Sequence, residues 1–215
     1  TKACNMACSY CYFSARRPMK DELTPAEFSS LWPQLAQLRP RKVVFTGGEP
    51  LLRHDLLELI GGLRAADRSH EIKRCLNTNG HRVTPGVAES LVGLVDEVRV
   101  SLDGLQPSND ALRGRGNFAK AFQALKTFYA VGFEPKVLIT ITSAVVPDLE
   151  EFLCLLFEHK LTRISFNNFR PIGRGEGRRE WRVGAGDQDA QVPVGCGDVE
   201  EDHVVLREVG ERCVQ

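Results

Sequence analysis

Apolar residues recur along the chain in short runs that stop at glycine or at small polar residues. Residues 42–45 run into Thr46-Gly47-Gly48, residues 72–76 into Asn77-Thr78-Asn79-Gly80, residues 97–102 into Asp103-Gly104, and residues 162–166 into Asn167-Asn168. Residues 136–142 form a fifth run, rich in β-branched side chains. Each has the length and composition of a buried strand, with its polar or glycine residues at the C-terminal end.

Helical patterns separate the runs. Thr24-Pro25-Ala26-Glu27 combines an N-cap, a proline at the first position and a glutamate three residues after the cap, and predicts a helix to about Leu38. Asp55 is expected to cap a second helix, with Leu56, Leu57, Ile60 and Leu63 on one face. Residues 85–92, 117–131 and 148–160 supply three more, and Phe118, Phe122 and Phe128 read as helix packing in the fourth. Strand and helix alternate for five cycles, which predicts βαβ units and a parallel α/β sheet. Polar residues end nearly every strand, and this favours a barrel, whose C-terminal rim draws on many strands, over an open sheet with one switch point. With five strands visible, the expectation is a partial barrel over residues 1–175. Residues 176–215, rich in glycine and charge, read as an irregular tail or the truncated start of a C-terminal module.

Charge and composition remove some functions. Lys+Arg and Asp+Glu both number 28, so no electrostatic footprint for nucleic acid is present. The apolar runs are far shorter than the roughly 20 residues that span a bilayer, and no membrane segment is expected. Seven cysteines, three of them within eight residues, make a poor disulfide framework and a good ligand cluster, and cysteine usage alone places the protein in a reducing, cytoplasmic compartment.

Those three are Cys4, Cys8 and Cys11. A structural zinc site wants four ligands, and iron–sulfur clusters normally take four thiolates. Three close thiolates therefore point to a four-iron cluster with one iron left open, with unrelated thiols or zinc completed by a remote ligand as the alternatives. Cys75 and Cys154 sit in apolar runs and read as small core residues. The five histidines show no metal spacing.

The spacing CxxxCxxC with Tyr10 before the third cysteine, then Gly47-Gly48-Glu49-Pro50 at the end of the next strand, resembles the radical S-adenosylmethionine (radical SAM) superfamily. Asn77-Thr78-Asn79-Gly80, Ser101-Leu102-Asp103-Gly104 and Arg170-Pro171-Ile172-Gly173-Arg174-Gly175 extend the resemblance to about residue 175. The resemblance implies a (β/α)6-type partial barrel. It also implies a 4Fe-4S cluster on Cys4, Cys8 and Cys11 that passes an electron to bound S-adenosylmethionine, yielding methionine and a 5′-deoxyadenosyl radical that takes a hydrogen atom from a substrate. Glycine lets backbone approach a ligand closely, so Gly47 and Gly48 are candidates to lie beside the open iron. Glu49 is the candidate to set the charge at the methionine amine, Tyr10 to lie near adenine, and Asn79, Ser101 and Asp103 to bond ribose or the methionine carboxylate. Asn167 is a weaker candidate, and Arg113 and Arg170 are expected in solvent rather than on carboxylates.

Members of the family usually lead into the first cysteine with a strand. Only three residues precede Cys4, so that strand is expected to be missing and the chain to be a fragment. Cys196, Gly210 and Cys213 faintly resemble the opening of a SPASM module, the cysteine-rich extension of sulfatase-maturing and peptide-modifying members. The substrate read from this layout is a peptide or protein, with a small cofactor precursor as the alternative, or a remnant that binds cluster and S-adenosylmethionine without turnover. No flavin or ferredoxin motif occurs, so an external low-potential electron donor is expected.

Overall fold

Thr24 and Glu27 start the first helix by exchanging hydrogen bonds: the Glu27 amide donates to Thr24 Oγ1 at 3.3 Å, and the Thr24 amide donates to Glu27 Oε2 at 2.8 Å. This satisfies two amides that the helix itself leaves open. The computed structural model describes residues 1–183. Its strands are β1 (Lys42–Phe45), β2 (Lys73–Thr78), β3 (Glu97–Ser101), β4 (Lys136–Ile141) and β5 (Ile164–Asn168). Its helices are α1 (Pro25–Gln37), α2 (Leu56–Ala66), α3 (Pro85–Leu91), α4 (Gln106–Arg113), α5 (Asn117–Ala130) and α6 (Leu149–Glu158). Asp55 does not cap α2; its carboxylate instead accepts from Arg53 Nε and Nη2 at 2.8 and 2.6 Å.

All strands are parallel and stand in the order β1-β2-β3-β4-β5. An order without reversal has no switch point, so the sheet curls as a partial barrel instead of opening as a doubly wound fold. Successive side chains in a strand point to opposite faces. One face presents Leu76, Val98, Val100, Val137 and Ile139, all inaccessible to solvent, to a core that includes Leu91, Leu125, Phe128 and Phe152. Phe128 is the buried member of the phenylalanine stripe, and Phe118 stacks on Phe122 with centroids 5.6 Å apart. A second core under α1 and α2 holds Trp32, Leu59, Leu63 and Ile72. Each large aliphatic or aromatic side chain so buried contributes about 1.5–3 kcal/mol.

The opposite face of the sheet is polar. At the N-terminal ends of the strands Glu97, with its side chain 1% exposed, meets Lys73 Nζ at 3.0 Å, Arg163 Nη2 at 2.9 Å, Lys136 Nζ at 3.9 Å and Arg99 Nε. Burial alone would raise the Glu97 pKa; hydrogen bonds from Lys73 and Arg99, with the charges of Arg99 and Lys136, outweigh it and hold the carboxyl at about 2. This charged floor closes the end of the partial barrel remote from the cysteines.

After β5, Phe169 packs against Trp181 with centroids 5.9 Å apart, and Ser143 donates from its amide and hydroxyl to the Trp181 and Glu180 carbonyls at 3.0 Å. Residues just beyond 175 are thus tied to the sheet. Cys196, Gly210 and Cys213 lie outside the described residues. No described helix is long and apolar enough to cross a membrane.

Candidate radical SAM site

Cys4, Cys8 and Cys11 share one loop at the C-terminal ends of the strands, and all three are half-buried. The loop is pinned from three directions. Its start is tied to its own exit, with the Cys4 amide donating to the Arg16 carbonyl at 3.2 Å and the Arg16 amide to the Lys2 carbonyl at 3.0 Å. Its middle rests on α4, where Ser9 donates from both amide and hydroxyl to the Leu112 carbonyl at 2.9 Å. Its end meets the segment after β5, where the Arg174 amide donates to the Cys11 carbonyl at 3.0 Å.

The Gly-Gly-Glu turn after β1 faces the same loop. The Gly48 and Glu49 amides donate to the Thr1 and Ala3 carbonyls at 2.8 and 2.7 Å. A Cβ on Gly47 would lie 2.2 Å from Thr1 O, and one on Gly48 2.0 Å from Ala3 O. The space that these glycines keep free of side chain is filled by residues 1–3 of this chain. Glu49 is inaccessible to solvent: Oε1 accepts from the Thr78 hydroxyl and the Leu51 amide at 2.8 and 3.1 Å, and Oε2 from the Asn79 amide at 2.7 Å. Burial pushes its pKa up, and those three hydrogen bonds oppose the rise. Asn79 links the turn to the cysteines, with Nδ2 2.9 Å from Asn5 Oδ1 and 4.0 Å from Cys4 Sγ. The Met6 amide donates to the same sulfur at 3.4 Å.

Asp103 stands at the centre of a hydrogen-bond network made by protein. It is fully buried and saturated: Oδ1 accepts from Arg113 Nη2 at 3.0 Å and the Thr140 amide at 2.8 Å, while Oδ2 accepts from Arg113 Nε and the Tyr10 hydroxyl, both at 2.6 Å. The carboxylate that the Asp-Gly pair seemed to offer a ribose is thus engaged by protein. Arg113, expected in solvent, is buried and lies over the Tyr10 ring at 5.4 Å. Burial, which alone would depress it, is outweighed by Asp103 and Tyr10, so the guanidinium stays charged. Burial also carries the Tyr10 hydroxyl well above its ordinary pKa, against the opposing charge of Arg113. Tyr10 is therefore a donor fixed to Asp103.

Ser101 ends β3 opposite Leu138 of β4, on the face shared with Glu97 and Arg99. Asn77 shares that face, opposite Arg99, and its buried Oδ1 has no protein partner among the described residues. Asn167 and Arg170 are exposed. Asn77 and Arg174 were not singled out by the sequence reading, although both lie in motifs that it quoted.

Three thiols on one loop are the donor type that an iron–sulfur cluster takes. A tetrahedral zinc with Zn–S bonds of about 2.3 Å draws its sulfurs to within about 4 Å of one another. Among the described residues no three or more of His, Cys, Asp or Glu gather closely enough to hold a single metal ion. A cluster whose thiolates bind separate irons spaces them more widely, and Cys4, Cys8 and Cys11 supply three such donors on one loop. Burial raises the Cys4 and Cys8 thiol pKa values, so both would release protons on ligation.

Residues 1–153 match the radical SAM superfamily. The chain belongs to that family. It is 35% identical over 179 residues to mycofactocin maturase MftC of Mycolicibacterium smegmatis, covering 81% of this chain and 44% of the relative. Fe-coproporphyrin III synthase of Methanosarcina barkeri matches at the same identity, length and coverage. The chain thus spans less than half the length of either relative. Among solved structures, anSMEcpe with bound AdoMet and the Kp18Cys peptide superposes with a TM-score of 0.72 at 21% identity, over 85% of this chain and 53% of that one. That likeness shows the fold. Enzymes of this radical SAM family bind a 4Fe-4S cluster and S-adenosylmethionine.

Proposed function

We propose that Cys4, Cys8 and Cys11 hold a 4Fe-4S cluster at the rim of the partial barrel, and that the protein is a radical SAM enzyme acting on a peptide. When bound, the cluster supplies the electron that cleaves S-adenosylmethionine to methionine and a 5′-deoxyadenosyl radical, which takes a hydrogen atom from the substrate. The observation that carries this reading is the convergence of the three-cysteine loop, the Gly47-Gly48-Glu49 turn and Asn79 at the C-terminal ends of β1 and β2. Ser101 and Asn77 present polar groups on the inner face to a ligand, Glu49 and Asn79 fix the turn beside Cys4, and Tyr10, Asp103 and Arg113 form the wall beneath Cys8. The electron comes from an external low-potential donor, and the compartment is cytoplasmic.

The maturase name of the first relative favours a peptide substrate. The equal identity to a coproporphyrin synthase keeps a cofactor precursor as the second reading. The full-length protein, reconstituted anaerobically with iron and sulfide and given dithionite and S-adenosylmethionine, should form 5′-deoxyadenosine. A protein that carries the cluster yet forms none is not this enzyme. Faster 5′-deoxyadenosine formation with peptides than with tetrapyrroles supports the first reading, and the reverse supports the second.

A further inference from the structure

One residue far along the chain reaches three parts of the cysteine loop. Arg174 lies in a short turn of helix, Gly173–Gly175, after β5. Its Nε donates to the Cys8 carbonyl at 2.8 Å, its Nη1 to the Ala15 carbonyl at 2.9 Å, and its backbone amide to the Cys11 carbonyl at 3.0 Å. The two carbonyls taken by the side chain stand on opposite sides of the third cysteine. A guanidinium reaches both because its donors form a rigid planar fork, whereas a lysine ammonium is a point charge on a flexible stem.

The backbone around Arg174 is shaped for the same contact. Gly173 has φ +61, in the left-handed region, and a Cβ there would lie 2.6 Å from Cys11 O and 2.4 Å from Tyr12 O. Only glycine lets the turn lie this close against the loop.

We propose that Arg174 is a positioning residue that clasps the cysteine loop, holding Cys8 and Cys11 in the spacing the cluster requires. The proposal rests on the cluster reading given above. Arg174 touches no reacting atom and acts through the carbonyls of the ligand residues. Without its side chain the Ala15 carbonyl loses the guanidinium donor and the Cys8 carbonyl keeps only the Cys11 amide at 3.2 Å, while Ser9 and Tyr10 stay tied to Leu112 and Asp103. The loosening therefore falls on residues 11–15, held by the Ser14 amide on the Cys11 carbonyl at 3.1 Å and by the Arg174 backbone amide.

The test uses the full-length protein and its Arg174→Ala and Arg174→Lys variants, reconstituted anaerobically. Iron release to a chelator is timed, and electron paramagnetic resonance of the reduced protein is recorded with and without S-adenosylmethionine. Both variants should release iron about tenfold faster or more, since hydrogen bonds from a charged donor are the stronger kind, and the resonance of the reduced cluster should shift. Release and spectrum unchanged in both variants would overturn the clasp. A lysine variant equal to the parent would overturn it too, because charge alone would then suffice. If Arg174→Ala does not fold, as judged by circular dichroism, the lysine variant decides the matter by the same criterion. A parent protein that takes up no iron sinks the cluster reading itself, an outcome distinct from either.

Discussion

Tyr10 donates its hydroxyl to Asp103 Oδ2, the same oxygen that receives Arg113 Nε. The cysteine loop is thereby tied to a buried ion pair at the end of β3, and the energetic cost of disturbing each member differs. Asp103→Ala leaves the Arg113 cation buried without a counter-charge, a change that costs about 3–5 kcal/mol. Tyr10→Phe removes one donor from a carboxylate that keeps three, and costs about 1–2 kcal/mol. Urea unfolding of the apoprotein under reducing conditions measures both, and an Asp103→Ala variant no less stable than Tyr10→Phe would contradict the assignment.

Single replacement of Cys4, Cys8 or Cys11 by Ala should remove most of the iron from the reconstituted protein. Cys75 is fully buried in β2, so Cys75→Ala should leave iron content unchanged. Iron assay on all four variants decides it. Retention in all three loop variants would mean that the ligands lie elsewhere.

Gly48→Ala tests what fills the space beside the turn. Its Cβ has nowhere to go while Ala3 O stays where it is, so residues 1–3 must move and take the start of the cysteine loop with them. Hydrogen exchange measured by mass spectrometry should show faster exchange at residues 1–16, together with lower iron uptake. Exchange equal to the parent's would show that the turn accommodates a side chain after all.

The charged floor gives the protein a pH dependence of known sign. Glu97 has a pKa of about 2 in the folded protein against an ordinary 4.5. The group therefore stabilises the fold above about pH 4.5, and its contribution disappears as the pH falls from there toward 2. A depression of this size corresponds to about 3 kcal/mol. Urea midpoints between pH 7 and 3 should fall less steeply for Glu97→Gln than for the parent, and identical slopes would rule out the linkage.

Local chemistry was legible in the sequence, and distant pairing was not. The β1 run and the α1 capping box announced themselves because the strand and helix periods and the cap residues are local signals. Helix α4 escaped because Gln-Pro-Ser-Asn-Asp-Ala-Leu-Arg is short, polar and without a side-chain cap, so neither period nor cap marks it. The protein contacts of Gly47, Gly48 and Asp103 were not legible because each is made with residues far away in sequence, Thr1 and Ala3 for the glycines, Arg113 and Tyr10 for the aspartate. The same holds for Arg174, whose partners no spacing rule connects to it.

Arg174 and Cys8 stand 166 positions apart, and their contact sets an order of events during synthesis. A ribosome adds about 5–20 residues per second, so roughly ten to thirty seconds pass between the making of Cys8 and the making of Arg174. Through that interval the three thiols are already on the nascent chain while the carbonyls around them lack the guanidinium that will gather them. A fully braced loop has to await nearly the whole of the partial barrel, because Arg174 follows β5 and is made only after the last described strand.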